Sequence, residues 1–127
     1  MKILVPGGAG FIGSHVTDAL RSREHEVPVL DNLSSGPYEN VPDAAVLHEA
    51  DIRSADAAHL MKEQRFDVLV HHAAQMDVRK SVADPGFDAR VNVLGFLNLM
   101  EAARDHGLQK VVFASTGGAI YGEPEYV

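Results

Sequence analysis

Apolar residues along the chain follow two spacings that take turns. Short, near-continuous apolar runs rich in β-branched residues occupy residues 2–5, 26–31, 45–49, 67–71 and 110–114. Runs of that length without polar alternation read as strands buried on both faces of a parallel sheet. Longer stretches with helical periodicity lie between them. Residues 11–23 place Ile12, Val16, Ala19 and Leu20 on one stripe, the spacing of an amphipathic helix. Residues 54–64 predict a second helix, with Ser54 as its N-cap and Ala57, Ala58, Leu60 and Met61 as its apolar face. The longest, residues 86–106, is closed by Gly107 as a C-cap. Strands alternating with helices in this way predict βαβ units around a single parallel sheet. The chain contains no internal repeat and no low-complexity tract.

The helix over residues 86–106 is apolar on two sides. At 100° per residue, Phe87, Val91, Leu94 and Ala102 fall on one side, and Val93, Phe96, Leu97, Met100 and Ala103 on the other. Two readings account for this. Either the helix is sandwiched between the sheet and a loop of its own chain, or paired copies of it form a homodimer.

Composition narrows the picture. A chain of 127 residues with 46% hydrophobic residues suffices for one packed domain. The formal charge of −7 argues against nucleic acid or an anionic membrane as partner, since both call for a basic surface. There are no cysteines, so disulfides and thiolate metal sites are excluded, in keeping with a reducing cytoplasm. The apolar run at Ile3 to Val5 is too short for a signal-peptide core, and no run approaches the roughly 20 residues of a membrane span. A cytoplasmic protein is expected.

The chemistry begins at the first strand-to-helix junction, Val5-Pro6-Gly7-Gly8-Ala9-Gly10-Phe11-Ile12-Gly13-Ser14. It reads as G-x-G-x-x-G from Gly8 or as G-x-x-G-x-x-G from Gly7. Glycines there permit a tight turn, let a pyrophosphate approach the backbone, and let the helix pack against the strand. The helix then offers free N–H groups and the positive end of its dipole to the diphosphate. Position between a strand and an amphipathic helix gives the motif its weight. The second strand ends in Val29-Leu30-Asp31-Asn32, with Asp31 close to the spacing of ~20 residues at which an acid accepts hydrogen bonds from ribose hydroxyls. A carboxylate there also repels a 2′-phosphate, so the expected cofactor is NAD and not NADP. A Rossmann-type three-layer αβα fold with strand order 3-2-1-4-5 follows from the same pattern.

Together these residues resemble the extended short-chain dehydrogenase/reductase family, in particular the NAD-dependent epimerase/dehydratase group typified by UDP-glucose 4-epimerase. The resemblance runs the length of the chain. Ala50-Asp51-Ile52-Arg53 resembles the segment that holds adenine, which implies Asp51 on the exocyclic amine and Ile52 against the ring; the alternative for Asp51 is a place at the start of the second helix. His71-His72-Ala73-Ala74-Gln75 resembles the fourth strand end, where Ala73 and Ala74 let the cofactor lie flat. The adjacent histidines point to opposite faces of a strand, so no metal site is expected. Ser81-Val82, Pro85, Asn92-Val93 and Gly95 continue the likeness, with Asn92 either supporting the cofactor pocket or a plain polar helix position. Finally, the stretch from Val112 to Gly122 resembles the motif bearing the catalytic Ser or Thr, which implies Thr116 with Ser115 as support, binding a hydroxyl of the sugar.

The family's general base is the tyrosine of a Tyr-x-x-x-Lys pair, and none is present: Tyr38 is followed four places on by Pro42, Tyr121 by Glu125, and Tyr126 lies at the end. With the later strands and the sugar-binding domain also lacking, the resemblance implies an incomplete NAD-binding Rossmann domain over residues 1–127, truncated before the substrate domain. For a complete relative it implies C4 epimerisation of a UDP-hexose, in which a tyrosinate takes the 4-hydroxyl proton, a 4-keto sugar turns over, and NAD acts as a bound catalyst. A 4,6-dehydratase is disfavoured because Gly117-Gly118 stands where such enzymes carry an Asp-Glu pair. The remaining alternative is a catalytically inactive NAD-binding fragment or regulator. Pro6 and Met76 depart from the family pattern, one removing an N–H from the turn and the other standing where some epimerases carry a lysine.

Overall fold

The computed structural model describes residues 1–116. Strand β1 (Ile3–Pro6) leads through the glycine turn into helix α1 (Phe11–Arg21), followed by β2 (Val29–Asp31), a 3-10 turn at Tyr38–Asn40, and β3 (Leu47–Glu49). Helix α2 (Ala55–Gln64) and β4 (Val68–His71) follow, then α3 (Val78–Ala83), α4 (Pro85–Ala89), a π-helical stretch at Arg90–Gly95, α5 (Phe96–Ala103) and β5 (Lys110–Phe113). The sheet has five strands in the order β3-β2-β1-β4-β5, and every neighbouring pair is parallel. This is the predicted order.

Strand alternation divides the core. Leu4, Leu30 and Leu69 point to one face, where they meet Ala57 and Met61 of α2 and Leu99, Ala102 and Ala103 of α5. Ile3, Val5, Val68 and Val70 point to the other, against Val16 and Leu20 of α1. Three layers result, and burial of each such Val or Leu contributes roughly 1.5–3 kcal/mol. Ser54 caps α2 as expected, its side chain accepting from the Ala57 N–H at 3.1 Å. Gly107 adopts a left-handed φ of +91° but is not the expected C-cap: α5 ends at Ala103 with Arg104 as its cap, and Gly107 lies in the turn beyond.

Several expectations need correction. In α1 the buried residues are Gly13, Ser14 and Thr17, not Ile12, which is 63% exposed. A Cβ on Gly13 would come within 2.1 Å of the Gly7 carbonyl oxygen, so small residues draw the start of the helix against the turn, while Val16 and Leu20 of the expected stripe pack on the sheet. Ser14 and Thr17 tolerate burial because their hydroxyls donate to the carbonyls of Phe11 and Gly13 at 3.0 and 2.8 Å. The single helix over residues 86–106 is instead α4 and α5 joined through π-helical turns, and α3 precedes it unforeseen. Ala102 and Ala103, predicted on opposite sides, are both buried, while Val93, Leu94 and Leu97 are exposed. Among the described residues strand β5 lies at the sheet edge, with Val112 and Phe113 about half exposed.

Candidate functional site

Parallel strands discharge their connecting loops at the same sheet edge. The carboxyl ends of β1 to β5 therefore gather Gly7 to Gly13, Asp31-Asn32, Asp51, His72 to Gln75 and Ser115-Thr116 along one rim. Ligands of such sheets lie there, at the crevice where the strand order reverses. In this sheet that crevice opens between β1 and β4.

The glycine turn is set into this crevice by its backbone. Gly7 takes φ +81°, its N–H donates to the Leu30 carbonyl at 2.8 Å, and the Gly10 N–H closes onto the Gly7 carbonyl at 3.1 Å. A Cβ on Gly7 would lie 2.5 Å from the Ala73 nitrogen, so β1 and β4 part with almost no space between their backbones. Pro6 lacks an N–H, yet its carbonyl accepts from His72 N–H at 2.8 Å. The turn is braced from outside as well. Asn40 Nδ2 donates to the Ala9 carbonyl at 2.9 Å, and Gly36 sits so close to that carbonyl that a Cβ there would approach it to 2.1 Å.

Gly10 is different from these tightly packed glycines. A Cβ there would meet only the Gly7 oxygen, at 3.2 Å, leaving its outer side open. Gly10 is also the N-cap of α1 and supplies no side-chain cap. The N–H groups of Phe11, Ile12 and Gly13 consequently have no acceptor among the described residues. Uncapped amides at a helix start form an anion site of the kind a diphosphate occupies.

Asp31 ends β2 beside this turn. Its Oδ2 accepts from the Ala9 N–H at 3.0 Å and its Oδ1 from the Leu33 N–H at 2.9 Å. One donor on each oxygen leaves acceptor capacity on both, since a carboxylate has about four lone-pair positions. Free helix amides next to a half-satisfied carboxylate match the diphosphate and ribose of a dinucleotide. These residues fit NAD.

The remaining predicted residues separate into those at the rim and those behind it. Asn32 is exposed, donating to Asp51 Oδ2 at 3.1 Å and accepting from Ser34 N–H at 3.1 Å. Asp51 is bound by Arg53, whose side-chain hydrogen bonds, outweighing partial burial, hold the carboxyl at about 2. Ile52 is buried in the core under Gly95, with its side chain away from solvent. Ala73 and Ala74 follow β4 beside the glycine turn. Asn92 lies behind the rim and clasps the Gln75 backbone, accepting from its N–H and donating to its carbonyl, both at 2.8 Å. It reaches Asp88 too, at 3.1 Å, and Asp88 accepts from Ser81 Oγ at 2.6 Å. Ser115 and Thr116 are exposed beyond the end of β5. Gly117, Gly118, Tyr121 and Tyr126 lie outside the described residues. Among the described residues no group of three or more His, Asp or Glu is arranged to hold a metal ion, and no helix is long and apolar enough to cross a membrane.

Gly36 and Asn40 were not legible in the sequence as parts of this site, and Arg53 stood only within the adenine segment, without a role of its own. Only Arg53 left a local trace, the Asp-x-Arg spacing that lets a guanidinium fold back onto a carboxylate. The other two reach the turn through contacts distant in sequence.

Comparison with known proteins agrees with this geometry. Residues 3–127 match the NAD dependent epimerase/dehydratase family. UDP-glucose 4-epimerase of Mycolicibacterium smegmatis is 48% identical over 129 residues, covering 98% of this chain and 41% of that protein. The crystal structure of Thermus thermophilus UDP-glucose 4-epimerase in complex with NAD superposes with TM-score 0.91 at 51% identity, over 100% of this chain and 42% of that one. That of the Thermotoga maritima UDP-glucose 4-epimerase with UDP-glucose gives TM-score 0.88 at 45% identity, over 100% and 41%. The chain thus spans about two fifths of the length of the relatives it matches. With the uncapped glycine turn, the strand order and this match over nearly its whole length, the chain belongs to the NAD dependent epimerase/dehydratase family.

Proposed function

We propose that residues 1–127 form the NAD-binding domain of a nucleotide-sugar epimerase acting at C4 of a UDP-hexose, interconverting UDP-glucose and UDP-galactose through a 4-keto sugar. The observation that carries the reading is the uncapped start of α1, with Gly10 open to the outside and Asp31 retaining acceptor capacity beside it. The amides of Phe11, Ile12 and Gly13 hold the diphosphate, Gly7 and Gly10 give it room, and Asp31 binds the ribose, with Asn32 beside it at the cofactor-binding strand end. Asp51 takes the adenine amine, with Ile52 beneath the purine site, while Ala73 and Ala74 border the middle of the cofactor and Asn92 fixes the Gln75 backbone next to them. NAD, when bound, supplies reversible oxidation at the sugar carbon.

Thr116, supported by Ser115, hydrogen-bonds the sugar oxygen at the rim. The UDP-sugar is the partner molecule, as the UDP-glucose held by the Thermotoga maritima relative suggests. Val93, Leu94 and Leu97, exposed on one helix face, are the candidate homodimer surface. An acidic, cysteine-free composition supports a cytoplasmic location.

A second reading has its own observation: these 127 residues contain no Tyr-x-x-x-Lys pair, which favours retention of NAD without turnover. Incubating the protein with NAD and UDP-galactose separates the two. Formation of UDP-glucose supports epimerisation, whereas recovered UDP-galactose with NAD still bound supports the binding module. Release of water with a 4-keto-6-deoxy product would instead mean a dehydratase.

A further inference from the structure

Asp51 and Asp31 stand at adjacent strand ends but differ in how many donors they hold. Asp31 has one donor on each oxygen. Asp51 Oδ1 accepts from both the backbone N–H and Nε of Arg53, each at 2.8 Å, and Oδ2 accepts from Arg53 Nη2 at 2.7 Å and Asn32 Nδ2 at 3.1 Å. With about four lone-pair positions on a carboxylate, Asp51 is saturated. A further donor, such as an adenine amine, must displace one of those present.

The donors are not equally replaceable. Those from Arg53 comprise a two-point guanidinium fork, charge-assisted and supported by the backbone of the same residue. The guanidinium also lies over the Phe87 ring, 5.4 Å from its centroid, an arrangement that further restrains it. Asn32 contributes a single neutral hydrogen bond, longer than the rest, from an exposed side chain.

We propose that Arg53, backed by Phe87, is a positioning residue that holds the Asp51 carboxylate in one orientation for purine recognition, and that the Asn32 amide stands where the adenine 6-amino group binds. The inference rests on the reading of Asp51 as the adenine acceptor. Binding then exchanges one neutral N–H donor for another on Oδ2, while the Arg53 fork remains.

The test is calorimetric titration of nucleotide-free protein with NAD and with nicotinamide hypoxanthine dinucleotide, which carries oxygen in place of the 6-amino group. Wild type prefers NAD by about fivefold, below the roughly tenfold that an unopposed hydrogen bond to a charged acceptor supplies, because the Asn32 donor is given up. Arg53→Met reduces that preference to about twofold, chiefly by weakening NAD. Asn32→Ala, which removes the competing donor, raises the preference above wild type. Loss of both nucleotides by the same factor in Arg53→Met overturns the positioning role, and a lowered preference in Asn32→Ala overturns the stand-in role. If Arg53→Met does not fold, Phe87→Leu takes its place: a reduced preference supports the proposal and an unchanged one overturns it. Should wild type show no preference and Asp51→Asn leave both affinities unchanged, the assignment of Asp51 to adenine is itself wrong, an outcome distinct from failure of Arg53 alone.

Discussion

His71 is 3% exposed on β4, between the rings of Phe96 and Phe113, with centroids at 5.0 and 5.7 Å. Its Nδ1 is buried without a hydrogen-bond partner. Burial first, and the neighbouring His72 second, push its pKa down to about 4, against about 6.5 in an unfolded chain. Between those values the unfolded state takes up a proton that the folded state refuses. Stability is therefore full above pH 6.5 and falls as the pH drops towards 4, by about 3 kcal/mol in total. His48 and His72 are lowered in the same direction by burial and add to the slope. Urea unfolding of wild type and His71→Leu at pH 7.5 and 4.5 isolates the His71 share: the variant loses much less stability on acidification, and an equal loss in both would refute the assignment. Residues whose role follows from their place at a strand end or in the turn after it, such as Gly10 and Asp31, were legible in the sequence. Gly36 and Asn40 were not, because their roles exist only once the 33–41 segment has folded back over the glycine turn.

Among the elements, the sheet was easier to read than the long helix. Strand positions and order follow from apolar runs and from the phosphate turn after the first strand. The helical pattern over residues 86–106 gave no sign of its π-helical stretch, which carries Asn92 and Gly95. Asn92 must reach the Gln75 backbone while Gly95 packs on Ile52, where a Cβ would come within 2.6 Å of the Ile52 side chain. An added residue per turn reconciles these two anchor points, and π turns of this kind recur where function constrains a helix. Asn92→Ala removes both hydrogen bonds to Gln75 and costs about 1–3 kcal/mol. Hydrogen exchange is the direct check: amides of residues 75–77 exchange faster in the variant while those of β1 and β4 stay protected. Unchanged exchange at 75–77 would show that Asn92 does not restrain this loop.

On the scale of the whole molecule, five parallel strands bring loops distant in sequence to one rim, and the family match covers that arrangement nearly end to end. The central claim is that this rim binds NAD through the open amides of α1. Gly10→Ala tests it most directly, because the added methyl enters the open side of the turn at an allowed backbone conformation, φ −69° and ψ 163°. Calorimetry with NAD on nucleotide-free protein should give saturable heat for wild type and affinity at least about tenfold weaker for the variant, with unfolding free energies within about 1 kcal/mol of each other. Absence of binding by wild type, or equal affinity in the two proteins, would contradict the account.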